Sequence, residues 1–366
     1  MAGSGFGTNF RITTWGETHG AGVGVVVDGC PAGLPLERED VQKYLDRRKP
    51  GQSKYTTQRK EGDQVEILSG IFEGRTTGTP ISMVVYNKDQ RSKDYSNIKD
   101  IYRPGHADFT FDMKYGFRDY RGGCRSSGRE TIGRVAAGAV AAKVLKELGI
   151  EIKAYAKAIA GIEVSKDHFD FAEMNNNPFN MPDKEAAKLV QEKADQMIKE
   201  MDSIGGIIEC QITGMPVGIG ETVFDKLDAE LSKAIMSIGS VKGFEIGDGF
   251  EAANLRGSEN NDDFICVDGK VAKETNHSGG VLGGMSDGSA IVFRAAIKPT
   301  PSIAQTQKTV NRDLDNVEIE IHGRHDPMIV PRAVVVVESM AAVTILDGVL
   351  KNLGATMDNI KKIYGE

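Results

Sequence analysis

The sequence predicts an α+β fold with antiparallel sheets. Segments with strand-like and helix-like patterns occur in batches along the chain, which is typical of α+β proteins, whereas a doubly wound parallel sheet alternates strictly. Of the 366 residues, 40% are apolar, which is enough for a large core. No long linker, low-complexity tract or clear repeat interrupts the chain. We therefore predict one domain that spans residues 1–366.

The first half of the chain begins with predicted strands. Residues 10–14 and 22–28 have the apolar pattern of strands, and residues 36–48 have the amphipathic pattern of a helix. Residues 64–72 and 81–87 flank the turn-forming segment EGRTTGTP, so they predict a hairpin.

The second half contains longer helices. Residues 131–148 predict a helix. They combine Ala and Val with Gly133 and Gly138, small residues that allow the helix to pack closely against its neighbours. Residues 168–182 contain Asn and Pro clusters and predict a loop, and residues 182–203 carry an apolar stripe after Pro and Asp, which predicts a helix. The remaining predictions are strands at 151–162, 206–213, 288–297 and 317–322, and helices at 225–238 and 331–353.

Composition restricts the class of protein. No run of about 18 apolar residues is present, and the N-terminal segment MAGSGFGTNFRITTWGETHG lacks the features of a signal peptide, so we expect a cytoplasmic protein with no membrane partner. The four cysteines are widely spaced and form no CxxC, so we expect free thiols. A net charge of −7 disfavours nucleic-acid binding. Any anion site must therefore be a local cluster of basic residues.

Two such clusters are present. Residues 46–60 contain six basic side chains and one acidic side chain. Residues 103–134 contain seven basic and four acidic side chains. A charge cluster is usually a solvated face, but the Gly and Ser residues of RGGCRSSGRET allow backbone N–H groups to close on an oxyanion. Arginine in place of lysine favours bidentate binding of carboxylate and phosphate. The predicted ligand is a small molecule with several negative charges.

Two histidines lie in glycine-rich, nonhelical segments near these clusters: His19 in WGETHG and His106 in RPGHAD. Histidine gains or loses a proton near pH 7, so it can act as an acid. A surface or structural role is the alternative for each. The segment KPTPS (298–302) could hold a phosphate or a ring carbonyl, and the glycine run at 279–284 requires close approach of another segment or a flat ligand.

The segment GRHDP (323–327) does not predict a metal site. The spacing of His322, His325 and Asp326 does not supply a third dependable ligand for a metal ion. The charge of Arg324 would also repel a cation. A carboxylate beside histidines and an arginine is better suited to moving a proton. A simple turn before the helix that follows is the alternative.

These motifs together resemble the chorismate synthase family. WGETHG, DRRKPGQSKYTTQR, RPGHAD, RGGCRSSGRET, VKGFEIGDGF, NHSGGVLGG, KPTPS and GRHDP occur in this order over nearly the full chain. The resemblance implies helices sandwiched between two antiparallel β-sheets and a homotetramer. It implies 1,4-anti elimination of phosphate from 5-enolpyruvylshikimate 3-phosphate to give chorismate, the last step of the shikimate pathway. Reduced FMN (FMNH2) is the implied cofactor, without net redox change, and NADPH is needed only if the chain also reduces flavin.

The resemblance also assigns roles to residues. His19 would protonate the reduced flavin, His106 would assist phosphate departure as an acid, and Asp326 would act through flavin N5 in removing the C6 proton. The implied substrate-binding residues are Arg48, Lys54, Arg103, Arg129 and Arg324. The implied flavin-binding residues are Arg125, Ser126, Ser127, Gly239, Ser240, Gly283, Lys298, Pro299, Thr300, Pro301, Ser302 and Arg324.

The sequence departs from the family pattern at a few positions. Thr18 replaces a usual serine and keeps the hydroxyl, Lys54 replaces a common arginine, Gly128 replaces a usual alanine, and Val335 replaces a usual proline. Two other classes of function stay open: an FMN oxidoreductase that transfers a hydride, and a noncatalytic protein that binds polyanions.

Overall fold

The computed structural model describes residues 3–57, 61–88, 99–321 and 326–365. The strands are β1 (Gly5–Phe6), β2 (Arg11–Gly16), β3 (Gly22–Asp28), β4 (Val65–Ile67), β5 (Ile71–Phe72), β6 (Arg75–Thr76), β7 (Ile81–Tyr86), β8 (Glu151–Ile159), β9 (Ile162–Glu163), β10 (Gly206–Thr213), β11 (Val241–Ile246), β12 (Phe264–Val267), β13 (Lys270–Lys273), β14 (Val281–Leu282), β15 (Met285–Ser286), β16 (Ile291–Ile297), β17 (Gln307–Val310) and β18 (Asn316–Ile319). The helices are α1 (Arg38–Arg48), α2 (Asp108–Tyr115), α3 (Thr131–Glu147), α4 (Lys184–Lys199), α5 (Leu227–Met236), α6 (Gly257–Asn260), α7 (Val330–Lys351) and α8 (Met357–Tyr364).

Two five-stranded sheets organise these elements. The first has the order β1-β2-β3-β7-β4 and the second has the order β11-β16-β10-β8-β9. Neighbouring strands in both sheets are antiparallel. The predicted pairing of segments 64–72 and 81–87 is confirmed, because β4 pairs with β7.

The long helices fill the space between the sheets. Helix α3 packs on β2, β3 and β7 of the first sheet, α7 packs on β8 and β10 of the second, and α3 and α7 pack on each other. The backbone of Gly138 in α3 faces Ser339 in α7, and a Cβ added to the glycine would collide with the Cβ of the serine. The predicted α+β fold, with helices sandwiched between two antiparallel sheets, is confirmed.

Helix α7 explains the most apolar part of the sequence. Within the described residues, one helical segment, Val330–Gly354, is long and apolar enough to cross a membrane. However, 83% of its most apolar window is buried inside the protein. Its composition therefore matches its position as a core helix between the two sheets.

Local signals in the sequence mark the starts of helices α1 and α4. Helix α1 begins after Glu37, whose side chain forms a reciprocal capping box with Asp40. Helix α4 begins after Asp183, whose carboxylate accepts hydrogen bonds from the backbone of Glu185 and Ala186. The predicted helices at 182–203 and 225–238 are correct in kind but shorter in the structure. The structure adds elements for which none was predicted: α2, α6, α8, β1, β6, β11, β12, β13, β14, β15 and β17.

Candidate active site

A cavity of about 540 Å³ opens where α3 and α7 begin. Its described lining carries far more positive than negative charge. The basic side chains are Arg48, Arg103, Arg125, Arg134, Lys242, Lys298 and Arg332, and the carboxylates are Glu130 and Asp326. In a chain whose net charge is −7, this concentration of cations at a concave surface favours an anionic ligand.

Most of the residues named from the sequence meet at this cavity. Those that line it are Arg48, Arg103, His106, Arg125, Ser126, Ser127, Gly239, Ser240, Lys298, Thr300, Pro301, Ser302 and Asp326. Six separate segments of the sequence therefore converge on one cavity. Those not in the lining are His19, Lys54, Arg129, Gly283 and Pro299. Arg324 lies outside the described residues, as do His322 and His325.

The RPGHAD segment places an arginine and a histidine at the cavity wall. Arg103 donates from Nε and Nη2 to the two carboxylate oxygens of Asp108, each at 2.7 Å. The same Nη2 lies 3.1 Å from Nδ1 of His106. Burial alone would raise the pKa of Asp108, but hydrogen bonds from Arg103 and His106 outweigh it and hold that pKa well below its usual range. Asp108 is therefore anionic near neutral pH.

Asp326 is held at the start of α7. Both of its carboxylate oxygens accept from Nη1 of Arg332, at 3.1 and 2.8 Å, and one also accepts from the backbone N–H of Thr57 at 2.8 Å. Arg332 in turn donates from Nε to the backbone oxygen of Arg48 at 3.1 Å. This arrangement fixes a carboxylate in the wall of a cationic cavity, a position from which it can accept a proton.

Arg48 and Arg129 share one buried carboxylate. Asp63, whose side chain is 0% exposed, accepts from Arg48 at 3.2 Å and from Arg129 at 2.9 Å. Burial and the nearby charges of Arg332 and Arg129 lower the pKa of Arg48 to about 9, against the attraction of Asp63. Arg48 therefore keeps its charge near pH 7. It lines the cavity, whereas Arg129 is buried and absent from the described lining.

The RGGCRSSGRET segment is tied to the first sheet by Arg125. Its guanidinium donates to the backbone oxygen of Gly16 at 2.9 Å and to the hydroxyl of Thr14 at 2.6 Å. Ser127 caps the short turn that follows, because its hydroxyl accepts from the backbone N–H of Arg129. The segment thus delivers Ser126 and Ser127 to the cavity directly before α3, where the helix dipole favours negative charge.

The opposite wall comes from the KPTPS segment and the turn after α5. Lys298 donates from its backbone to Ser240 and from Nζ to the carbonyl of Gly105, both at 2.9 Å, so it joins two walls of the cavity. Ser240 has a φ of +73°, a strained conformation for a residue other than glycine. The hydroxyl of Thr300 is buried without a hydrogen-bond partner among the described residues. Such a group is available to a bound ligand.

Three of the residues outside the lining have clear surroundings of their own. The ring of His19 packs against Gly122, and a Cβ added to that glycine would lie 2.9 Å from the ring. Gly122 and His106 both line a small cavity of about 10 Å³. Lys54 is largely exposed and pairs with Asp195 of α4 at 2.7 Å. Gly283 forms the turn of the β14–β15 hairpin with a φ of +60°. Within one chain, the fold does not bring Lys54 or Gly283 to the main cavity.

Sequence reasoning missed three basic residues of the lining: Arg134, Lys242 and Arg332. Arg134 lies on the first turns of α3 and donates to the side chain of Ser237 at 2.6 Å. Its place at the end of a basic cluster was a usable signal. Arg332 follows Pro331 at the start of α7 and has no basic or glycine-rich neighbours, so the sequence offered no sign of its role.

Comparison with known proteins agrees with this geometry. A sequence model of the chorismate synthase family matches residues 10–350. The chain belongs to the chorismate synthase family. The chorismate synthase of Lachnospira eligens is 67% identical over 364 residues and covers 100% of both chains, and that of Methanococcoides burtonii is 56% identical over 96% of this chain and 97% of its own. A crystal structure of a chorismate synthase matches with a TM-score of 0.77 and 31% identity, covering 98% of this chain and 96% of that chain.

Membership of the chorismate synthase family makes this protein a carbon–oxygen lyase with a small-molecule substrate. It also implies a flavin cofactor in general terms. The described residues fit such a group. Among the described residues, the hydroxyl of Thr300 and Nε of Arg48 have no hydrogen-bond partner, so both can bind polar atoms of a ligand. In the same described part of the chain, no atom lies within 4 Å of the position that a Cβ on Gly239 would take. Among the described residues, no group of three His, Cys, Asp or Glu side chains is arranged to hold a metal ion.

Proposed function

We propose that this enzyme catalyses the 1,4-anti elimination of phosphate from 5-enolpyruvylshikimate 3-phosphate to give chorismate, the last step of the shikimate pathway. The observation that carries the proposal is the convergence of Arg48, Arg103, Arg125 and His106 on one cationic cavity. The substrate has two carboxylates and a phosphate, so its charge complements that of the lining. Reduced FMN is the proposed cofactor, and its chemistry is to lend electron density as the C–O bond breaks, without net redox change.

The arginines would bind and orient the substrate. Arg103 uses Nε and Nη2 for Asp108, which leaves Nη1 for an oxyanion in the cavity. Arg48 uses Nη1 for Asp63 and keeps Nε without a hydrogen-bond partner among the described residues. Guanidinium groups that are already held by carboxylates need little reorganisation when charge develops on the leaving phosphate, so they stabilise that charge effectively.

His106 and Asp326 would handle protons. His106 lies in the wall with one ring nitrogen toward Arg103 and the other available to donate a proton to the departing phosphate. Asp326 is the carboxylate of the same wall, positioned by Arg332, that can receive a proton. His19 lies behind Gly122, and its assignment as the residue that protonates the cofactor stays a prediction.

Anaerobic turnover tests the proposal. The enzyme is incubated with 5-enolpyruvylshikimate 3-phosphate and dithionite-reduced FMN, and phosphate and chorismate are measured. We expect equal amounts of both products from catalytic amounts of reduced FMN. An FMN oxidoreductase would consume reductant in step with product, and a noncatalytic binding protein would release no phosphate; either result contradicts the proposal.

Variants separate a catalytic cavity from a binding cavity. The change His106→Ala is expected to lower turnover by about 100-fold or more, the usual contribution of acid catalysis, with little effect on flavin affinity. The matched control is His168→Ala, because His168 is exposed on a short turn away from the cavity. Equal turnover in both variants would exclude His106 as the acid.

We also propose that the chain folds as one domain and assembles as a cytoplasmic homotetramer. The tetramer is what the resemblance to the family implies, and its interfaces would be the place to cover exposed apolar side chains such as Phe224, which is 90% exposed, and Phe250, which is 81% exposed. Light scattering after gel filtration measures the number of subunits, and any number other than four would contradict the proposal. NADPH would be a further ligand only if the enzyme reduces flavin itself, which oxidation of NADPH in the presence of FMN would reveal.

A further inference from the structure

The surroundings of Nδ1 of His106 are unusual for a histidine expected to donate a proton. Nδ1 lies 3.1 Å from Nη2 of Arg103 and 3.4 Å from a carboxylate oxygen of Asp108. A guanidinium has donors and no acceptor. A neutral ring whose Nδ1 accepts from Nη2 of Arg103 carries its single proton on Nε2.

Asp108 makes this arrangement possible. Its carboxylate accepts from the backbone N–H of Arg103 at 3.1 Å, from Nε at 2.7 Å and from Nη2 at 2.7 Å, and its side chain is only 6% exposed. One hydrogen of Nη2 is thereby directed to Asp108, and the other to His106. When the ring is protonated, its Nδ1–H has Asp108 as the nearest acceptor. The same carboxylate thus serves both charge states of the histidine.

We infer that Asp108 is the positioning residue of His106: through Arg103 it places the proton of the neutral ring on Nε2, and its carboxylate balances the protonated ring beside Arg103. Without Asp108, an imidazolium would lie next to a guanidinium with no counter-ion in contact, and like charges at such distances disfavour protonation. The inference about proton positions needs no substrate, whereas its link to turnover rests on the proposed function.

Other charged or titratable groups near His106 do not replace Asp108. The described neighbours are Arg118 after α2, Asp119 and Cys124 before α3, and Lys298, which donates to the backbone of Gly105. Of these, Asp119 is the one carboxylate, and it is bonded to Arg121 at 2.7 to 3.0 Å. The carboxylates that line the main cavity with His106 are Glu130 and Asp326, and they are bonded to Arg134 at 2.9 Å and to Arg332 at 2.8 Å. Arg118 and Lys298 add positive charge, so they increase the need for a counter-ion at His106.

Nitrogen NMR of the histidine-labelled, full-length wild-type protein tests which nitrogen of His106 carries the proton of the neutral ring. The signals of His106 are assigned by their loss in His106→Gln. At high pH we expect a protonated, pyrrole-type Nε2 and an unprotonated, pyridine-type Nδ1. The opposite tautomer, with the proton on Nδ1, would overturn the inference. This measurement needs no variant of Asp108, so it decides the question even if such a variant does not fold.

Titration of Asp108→Asn tests whether Asp108 balances the charge of the protonated His106 ring. We expect the titration midpoint of His106 to fall by at least about one pH unit, and the basic limb of the pH–turnover profile to move to lower pH by a similar amount. The matched control is Asp112→Asn, since Asp112 lies on the same helix, is equally buried and also binds arginines, Arg118 and Arg312, but does not contact His106.

The outcomes separate this inference from the proposed function. An unchanged His106 midpoint in folded Asp108→Asn, or an equal shift in Asp112→Asn, would overturn the role of Asp108. If the wild-type protein releases no phosphate while the midpoint shifts as expected, the proposed function fails and the positioning role of Asp108 stands.

Discussion

Removal of the buried charge of Asp63 should destabilise the protein by several kcal/mol. The carboxylate of Asp63 is 0% exposed and is bonded to the guanidinium groups of Arg48 at 3.2 Å and Arg129 at 2.9 Å. In Asp63→Asn these two groups lose their shared counter-ion. Breaking a buried ion pair costs about 3–5 kcal/mol. Because the amide of asparagine keeps one acceptor oxygen, we expect the lower end, about 3 kcal/mol.

Thermal unfolding measures this effect. An unfolding entropy of about 2.1 cal/mol/K per residue over 366 residues gives ~0.8 kcal/mol/K, so 3 kcal/mol should lower the midpoint by ~4 °C. The control is Asp195→Asn, which removes the exposed partner of Lys54, and exposed pairs contribute about 0–1 kcal/mol. If Asp63→Asn and Asp195→Asn shift the midpoint equally, the argument that the buried carboxylate supports the arginine pair is refuted.

Two further predictions concern the core and the response to acid. The change Gly138→Ala should destabilise the protein by about 1–3 kcal/mol through overpacking against Ser339. The control Gly128→Ala, where no atom of the described residues lies within 4 Å of the new Cβ, should leave the melting temperature nearly unchanged. Burial alone would raise the pKa of Asp262, but hydrogen bonds, among them one from Lys273, hold that pKa well below its usual range. Its contribution to stability is therefore complete above the ordinary value of 3.8 and is lost as the pH falls below it. We expect the urea midpoint to fall less steeply below that pH in Asp262→Asn than in the wild type, and an equal slope would contradict this reasoning.

The secondary structure could largely be predicted from local patterns. Helix α4 follows from an apolar stripe and from the capping residue Asp183, and its energetics are local. Strand β11 was missed because its sequence, VKGFEI, contains glycine and charged residues. It forms because β16 offers a complete antiparallel edge, which is a property of the assembled sheet.

The candidate site could be predicted only in part. Motifs with Gly, Ser and Arg in sequence pointed to Arg103, His106 and Arg125, because the conformational demands of an anion site are visible over a few residues. Lys54 has the same local setting, yet it pairs with Asp195 at the surface. No local pattern distinguishes a basic residue that faces a cavity from one that faces solvent.

The sequence by itself determined the long helices, the acidic balance and the anion-binding chemistry of this chain, since these depend on residue type and short spacing. Only the tertiary structure decided which cations share one cavity. Arg48 and Arg332 are 284 positions apart and meet because α1 and α7 pack side by side between the sheets. Contacts over such separations depend on how whole layers of helices and sheets pack. That packing is determined by residues throughout the core and not by the sequence next to either arginine.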